Sequence, residues 1–172
     1  MYDPTIFENL KVAFENHIYD LDNMDEKITI TNRIDRMDFA ILARYFSIQF
    51  QLVNQPAVTA EIVLQASVKE LAGEILEVPG ENLGCTLSVH FTKAVQNITI
   101  QCPQIEQALN AIWETDIQLT QTLSFIHGQQ APSYQDIIDM TFKSKINEEH
   151  MGDIADLLDH VLESLEVLEG IE

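Results

Sequence analysis

The sequence predicts an α+β domain with a largely antiparallel sheet and helices packed on one face. Its order is an N-terminal helix and strand followed by a β-β-α order used three times. Apolar residues alternate with Thr, Ser and Gln in several short runs, as half-buried strands require. Turn-forming residues join these runs in pairs, which suits antiparallel ladders. Helix-period stripes follow the pairs, so helices cover one side of the sheet.

Asp3-Pro4 followed by Ile6, Phe7, Leu10, Val12, Ala13 and Phe14 reads as a short amphipathic helix, with Pro4 near its first turn. Residues 20–27 are a polar, acidic connection. Ile28-Thr29-Ile30-Thr31 alternates strictly and predicts a strand. Over residues 39–53, Leu42, Phe46, Ile48, Phe50 and Leu52 oppose Ser47, Gln49 and Gln51. This is a long strand, with a helix over 39–46 as the competing reading.

Asn54-Gln55-Pro56-Ala57 is a turn signal, since Pro56 pushes Gln55 to an extended conformation. Val58, Ala60, Ile62 and Leu64 then alternate with Thr59, Glu61 and Gln65 to complete a hairpin. Ser67-Val68-Lys69-Glu70 has capping-box spacing and opens a helix with Leu71, Ile75 and Leu76 as its stripe, ended by Pro79-Gly80.

The order repeats with a strand through Leu87, Val89 and Phe91, a turn over 93–96, and a strand with Ile98 and Ile100. A helix follows from Pro103 with Ile105, Leu109, Ile112 and Trp113 on one side. It repeats again with a strand through Leu119, Leu123 and Phe125, a loop over 128–133, a strand over 134–142, and a C-terminal helix from about 147. The units share no visible identity, so the recurrence is one of topology. One domain spans 1–172, with 115–172 as the segment that would form any sub-lobe.

The chain holds 28 Asp+Glu against 9 Lys+Arg, a formal charge of −19, and is 46% hydrophobic. The apolar residues run from end to end, unlike those of a disordered acidic tail. So few cations argue against a nucleic-acid footprint or an anionic membrane surface. No long apolar run predicts a transmembrane helix, and the acidic N-terminus lacks the pattern of a secretory signal, which places the chain in the cytoplasm. Cys85 and Cys102 are then free thiols, and the acceptor pattern Asn97-Ile98-Thr99 is chance.

Alternation gathers Thr29, Thr31, Ser47, Gln49, Gln51, Thr59, Gln65, Thr86, Ser88, His90, Thr99, Gln101, Thr120, Thr122 and Ser124 on the uncovered face, with Arg33 and Glu61 its few charges. Such a face is either simply solvated or, being nearly neutral, cheap to desolvate against a partner. In the C-terminal helix Met151, Ile154, Leu158, Val161, Leu165 and Leu168 are spaced 3-4-3-4-3, with Ala155, Leu157 and Leu162 beside the seam. The seam serves either the chain's own sheet or a partner helix. Residues 136–172 carry 11 acids and 2 lysines, a net −9. Acids near the helix C-terminus oppose the macrodipole, a conflict that a basic partner would relieve.

Metal ligation would need pairs such as Asp156 and His160 at i,i+4, or Glu149, His150 and Asp153; ordinary acidic surface is the simpler reading. Cys102, just before Pro103, is the best nucleophile candidate, with His90 or His127 as its base. The competing reading is a small semi-buried residue at a strand-to-helix junction. No phosphate loop, dinucleotide fingerprint, nucleophile elbow, zinc-protease motif or calcium loop is present, so no cofactor is expected.

The expected function is therefore a non-enzymatic, acidic protein-interaction or chaperone-like domain, a homodimer with a protein partner and no nucleic acid or membrane. The alternative is a small hydrolase-like enzyme using Cys102 or a His90-centred site. In element order and charge, the chain up to residue 114 resembles small acidic secretion chaperones. That resemblance implies a dimer that holds client segments. No shared motif carries it, and the unit after residue 115 departs from it.

Overall fold

Thr5 opens the first helix by accepting the backbone N–H of Glu8 at 3.3 Å, and α1 (Ile6–Asn23) then runs for 18 residues. It takes in residues 20–23, read from sequence as a connection, because Ile18 is fully buried and Leu21 packs against the core. The strands are β1 (Ile28–Asp38), β2 (Ala43–Leu52), β3 (Gln55–Ala66), β4 (Thr86–Val95), β5 (Ile117–Ser124) and β6 (Tyr134–Phe142). The remaining helices are α2 (Val68–Ile75), α3 (Ile98–Trp113) and α4 (Ile154–Glu169), the last preceded by a 3₁₀ turn, Glu148–Asp153.

This computed structural model describes residues 5–79, 82–114, 117–131 and 133–172; Asp3, Pro4 and Gly80, read above as helix-boundary signals, lie outside them. None of the described helices is long and apolar enough to cross a membrane.

All six strands join one antiparallel sheet, in the order β1-β2-β3-β4-β6-β5, and the fold is α+β with helices packed on the sheet. The middle unit differs from expectation. Residues 98–100 are the first turn of α3 rather than a strand, and the helix begins five residues before Pro103. Ile-Thr-Ile fits a period of two, but Ile98, Cys102, Ile105 and Leu109 fit a helical stripe, and tertiary packing selects the helix. Gln101, only 6% exposed, seals the reversal: its side-chain oxygen accepts the N–H groups of Gln96 and Asn97, both at 2.8 Å. The β-β-α order thus occurs at β2-β3-α2 and at β5-β6-α4, with β4-α3 between them.

Two turns also move. Residues 39–42 form the turn between β1 and β2, where Leu42 has φ 50°, so neither a strand from 39 nor a helix over 39–46 forms. The β2-β3 turn is Val53-Asn54, with Leu52 opposite Gln55, and Pro56 already belongs to β3.

Register makes one face apolar. Phe46 pairs with Leu64, Ile48 with Ile62, and Phe50 with Ala60; Ile62 pairs on with Val89, and Val89 with Met140. A register shift between Ile30 and Asn32 in β1 reverses which residues face inward. Arg33 and Asp35 therefore turn to the helix side, correcting the placement of Arg33 on the open face. There Arg33 pairs with Glu15 of α1, and Lys11 of α1 bonds Asp35 at 2.8 Å and Glu8 at 2.7 Å. Arg44 bonds Asp35 and Glu8 as well and lies over the Phe7 ring, which pins α1 to the β1-β2 hairpin.

The capping box of α2 forms as its spacing predicts, with the Glu70 carboxylate accepting the Ser67 N–H at 3.0 Å. α4 lies between α1 and α3, against β2 and β3. Its seam residues Ile154, Leu158, Val161, Leu165 and Leu168 are at most 2% exposed, while Asp153, Asp156, Asp159, Glu163 and Glu166 face solvent. Trp113 Nε1–H donates to Ser164 Oγ at 2.8 Å, and Ser164 donates to the His160 carbonyl at 2.7 Å, fastening α3 to α4.

Leu165→Ala should lower unfolding free energy by about 2–5 kcal/mol, read from urea titrations followed by circular dichroism. A loss under about 1 kcal/mol would contradict the packing of this helix.

Candidate functional site

The open face of the sheet follows the alternation, except that Thr99 and Gln101 belong to α3, Arg33 turns to the helix side and Thr31 falls at the β1 register shift. Its centre is less exposed than its rim: Ser47 is 1%, Val63 2% and Ser88 8% exposed. Across this centre three strands align Glu61, His90 and Asp139, since Glu61 pairs with His90 in register and His90 with Asp139. His90 Nδ1 is 3.5 Å from Glu61 Oε2, and its Nε2 is 3.2 Å from Asp139 Oδ2. Ser47 and Gln49 bond Glu61. Thr141 donates to Asp139 at 2.8 Å and lies 3.0 Å from Ser88.

The hydrogen bond to Glu61, aided by the charge of Asp139, raises the pKa of His90 above the ordinary imidazole value. Glu61 is held below the usual carboxylate range, first by its bond to His90. The row sets one imidazole between two carboxylates, a clamp across β3, β4 and β6 that favours the protonated ring. With both ring nitrogens engaged, His90 offers no free nitrogen to a reacting group.

Cys102 lies on the other side of the sheet. It falls in the second turn of α3, so it does not precede the helix as its place before Pro103 suggested. Burial, and then the charge of Asp136, push its thiol pKa up, the opposite of nucleophile activation. His127 sits exposed in the loop after β5. The sheet thus separates Cys102 from His90.

The metal candidates have other partners. His160 Nδ1 lies 2.8 Å from the Asp156 backbone carbonyl, and its ring packs 5.6 Å from Trp113. His150 Nδ1 accepts the Asn147 N–H at 3.1 Å, so it caps the 3₁₀ turn. Among the described residues no group of three or more His, Cys, Asp or Glu is arranged to hold a metal ion. Of the candidate interaction residues, Ile154, Leu158, Val161, Leu165 and Leu168 lie in the core and Met151 packs against it. A partner helix would have to displace the chain's own sheet to reach that seam.

Sequence reasoning missed a buried polar group on the covered face. Asp136 is 0% exposed, and neither of its carboxylate oxygens has a hydrogen-bond partner. Its cross-strand neighbour is Lys93, which is 7% exposed. Gln121, one strand over, donates to the Cys102 carbonyl at 3.0 Å, but its own side-chain oxygen is buried and unpaired. Burial pushes the Asp136 carboxyl up to about 6 and moves the Lys93 ammonium down. The signal was present in the sequence: Asp136 is in phase with Ile138 and Met140, and Lys93 with Val89 and Phe91.

No family model matches the chain, and comparison with curated proteins and with solved structures matches none of them. The element order behind the likeness to secretion chaperones is itself altered, because a single strand, β4, precedes α3 where two were expected, so charge is what remains of that likeness.

Two pH effects follow. The native state holds a proton on Asp136 more tightly than the unfolded chain does, so this group costs stability as pH rises from about 4 to about 6. Asp136→Asn should therefore be more stable than the parent at pH 7.5, by up to ~3 kcal/mol, with the gap closing near pH 4 in urea titrations. A gap independent of pH would contradict the assignment. His90 contributes stability below about pH 6.5 that is lost as pH rises through its raised pKa, so His90→Gln should cost about 1–2 kcal/mol at pH 6 and less at pH 9. Equal losses at the two pH values would show that the clamp is not ionic.

Proposed function

We propose that the chain is a non-enzymatic, acidic protein-interaction domain of the cytoplasm that acts as a homodimer and holds a segment of a client protein, as a chaperone does. The observation that carries this reading is the β1-β2 hairpin tip. Phe39 is 82%, Ile41 63% and Leu42 45% exposed, so three consecutive-neighbourhood apolar side chains stand in water at one end of the sheet. Apolar groups gathered this way on a polar surface favour a partner over solvent.

Beside the tip runs an open groove of about 880 Å³, lined by Phe39, Ile41, Tyr45, Gln65, Glu70 and Thr86 among others. The apolar rim supplies desolvation and the Tyr, Gln and Thr side chains supply hydrogen bonds, a mixture suited to an extended peptide. The opposed placement of Cys102 and His90 further favours binding over catalysis.

The reading is tested with a reduced, unfolded model protein whose aggregation is followed by light scattering. The chain should suppress aggregation near equimolar ratio, and Phe39→Glu/Ile41→Glu should weaken suppression about tenfold with an unchanged melting temperature. Absence of suppression at large molar excess, or an undiminished effect in the double variant, would count against the reading.

A further inference from the structure

The two strands that end the sheet are finished differently. β1 carries Arg33, Asp35, Arg36 and Asp38 and has a register shift between Ile30 and Asn32. Charge and irregularity of this kind block pairing with another chain. β5, Ile-Gln-Leu-Thr-Gln-Thr-Leu-Ser, has no charged residue and no proline. It keeps unbroken register with β6 from Ile117 opposite Phe142 to Ser124 opposite Gln135. Among the described residues it has a neighbouring strand on one side only, leaving a regular row of outward N–H and C=O groups.

Charge is sparse around this edge: Glu114 and Asp116 precede the strand in the sequence, and of the β6 carboxylates across the ladder Asp136 is buried and Asp139 is paired with His90. Residues 117–135 contain no Asp, Glu, Lys or Arg, and α3, which packs beside β5, contains Glu106 alone. In a chain of net charge −19 this is the flank where a second copy approaches without setting carboxylate against carboxylate. β1 and the back of α4 offer no such approach.

We propose that two copies of the chain pair antiparallel along β5, about a two-fold axis at Thr120, so that one sheet continues across both. The inference rests on the homodimer reading above and supplies its interface. The register follows from side-chain direction. Residues 117, 119, 121 and 123 face the helix layer, and 118, 120, 122 and 124 the open face. Only registers that place odd residues opposite odd ones keep both layers continuous. Centring on Thr120 sets Ile117 opposite Leu123 of the second copy, Leu119 opposite Gln121, and Gln118 opposite Thr122. Ile117 then meets Leu123 on the covered side, flanking the Leu119 and Gln121 pairs, and Thr and Gln meet on the open side.

The test uses sedimentation velocity on the full chain at tens of micromolar, with circular dichroism melts to confirm folding. Gln118→Glu/Thr122→Glu places like charges opposite each other twice across the junction and should weaken the dimer about tenfold or more. Gln118→Lys/Thr122→Glu alters the same positions but places opposite charges together, and should dimerise at least as well as the parent. Amide hydrogen exchange of residues 117–124 in the parent should slow as protein concentration rises. A parent dimer that survives in Gln118→Glu/Thr122→Glu, with exchange of these amides independent of concentration, would overturn the β5 interface and leave the homodimer reading in place. A parent that sediments as a monomer would overturn both. Loss of the dimer in both double variants would overturn the register centred on Thr120.

Discussion

The structure depends on keeping side-chain phase continuous across five ladders. Apolar residues of the covered face are matched across the strands to partners on the same face, from Phe46 and Leu64 to Val89 and Met140. A slip of one residue in any ladder would turn that strand's apolar set to solvent. α4 reinforces the register, since its seam fits only where the β2 and β3 side chains leave it room. The one change of phase, in β1, is used: it brings Arg33 and Asp35 to the helix side, where Glu15, Lys11 and Arg44 receive them.

Electrostatics then divides the molecule. The acids of α4 other than Glu169, which accepts the Val58 N–H, face away from the core, and the cations are spent mainly on internal pairing. Arg33, Arg44 and Lys11 bind carboxylates near α1, and Lys145 binds Glu70. Little positive charge is left to offset the carboxylates outside. The open face gathers charge in one partly compensated row, Glu61-His90-Asp139, and β5 itself carries none. Neutral surface in this chain is therefore concentrated, and it coincides with the places where backbone or apolar groups lack partners.

What could be read from the sequence was what is decided locally. The α2 capping box, the strand over 134–142 and the seam of α4 each follow from a pattern within a few residues. The misreadings arise where distant packing arbitrates. Ile98-Thr99-Ile100 satisfies either period, and the burial of Gln101 together with the packing of Cys102 against the core makes it a helix. Arg33 changed faces because a register shift is invisible to strict alternation. For the site residues, type and face were legible for His90, whereas the Glu61 and Asp139 that flank it depend on a strand order in which β6 intervenes between β4 and β5. Asp136 and Lys93 were overlooked because each looks like an ordinary polar residue until its phase is followed along the strand.

That strand order also has a consequence in time. β1 to β4 are joined neighbour to neighbour, but the strand that completes β4 begins at Tyr134, after α3 and β5 have been made. On a chain emerging from the ribosome, β4 is therefore a temporary border of the sheet, and β5 has nothing to pair with until β6 arrives. Closing this long loop is an entropic delay that the earlier hairpins do not face. During that interval Val89 and Phe91 lack their final neighbours. Handling the nascent chain is thus most exacting near the end of its synthesis.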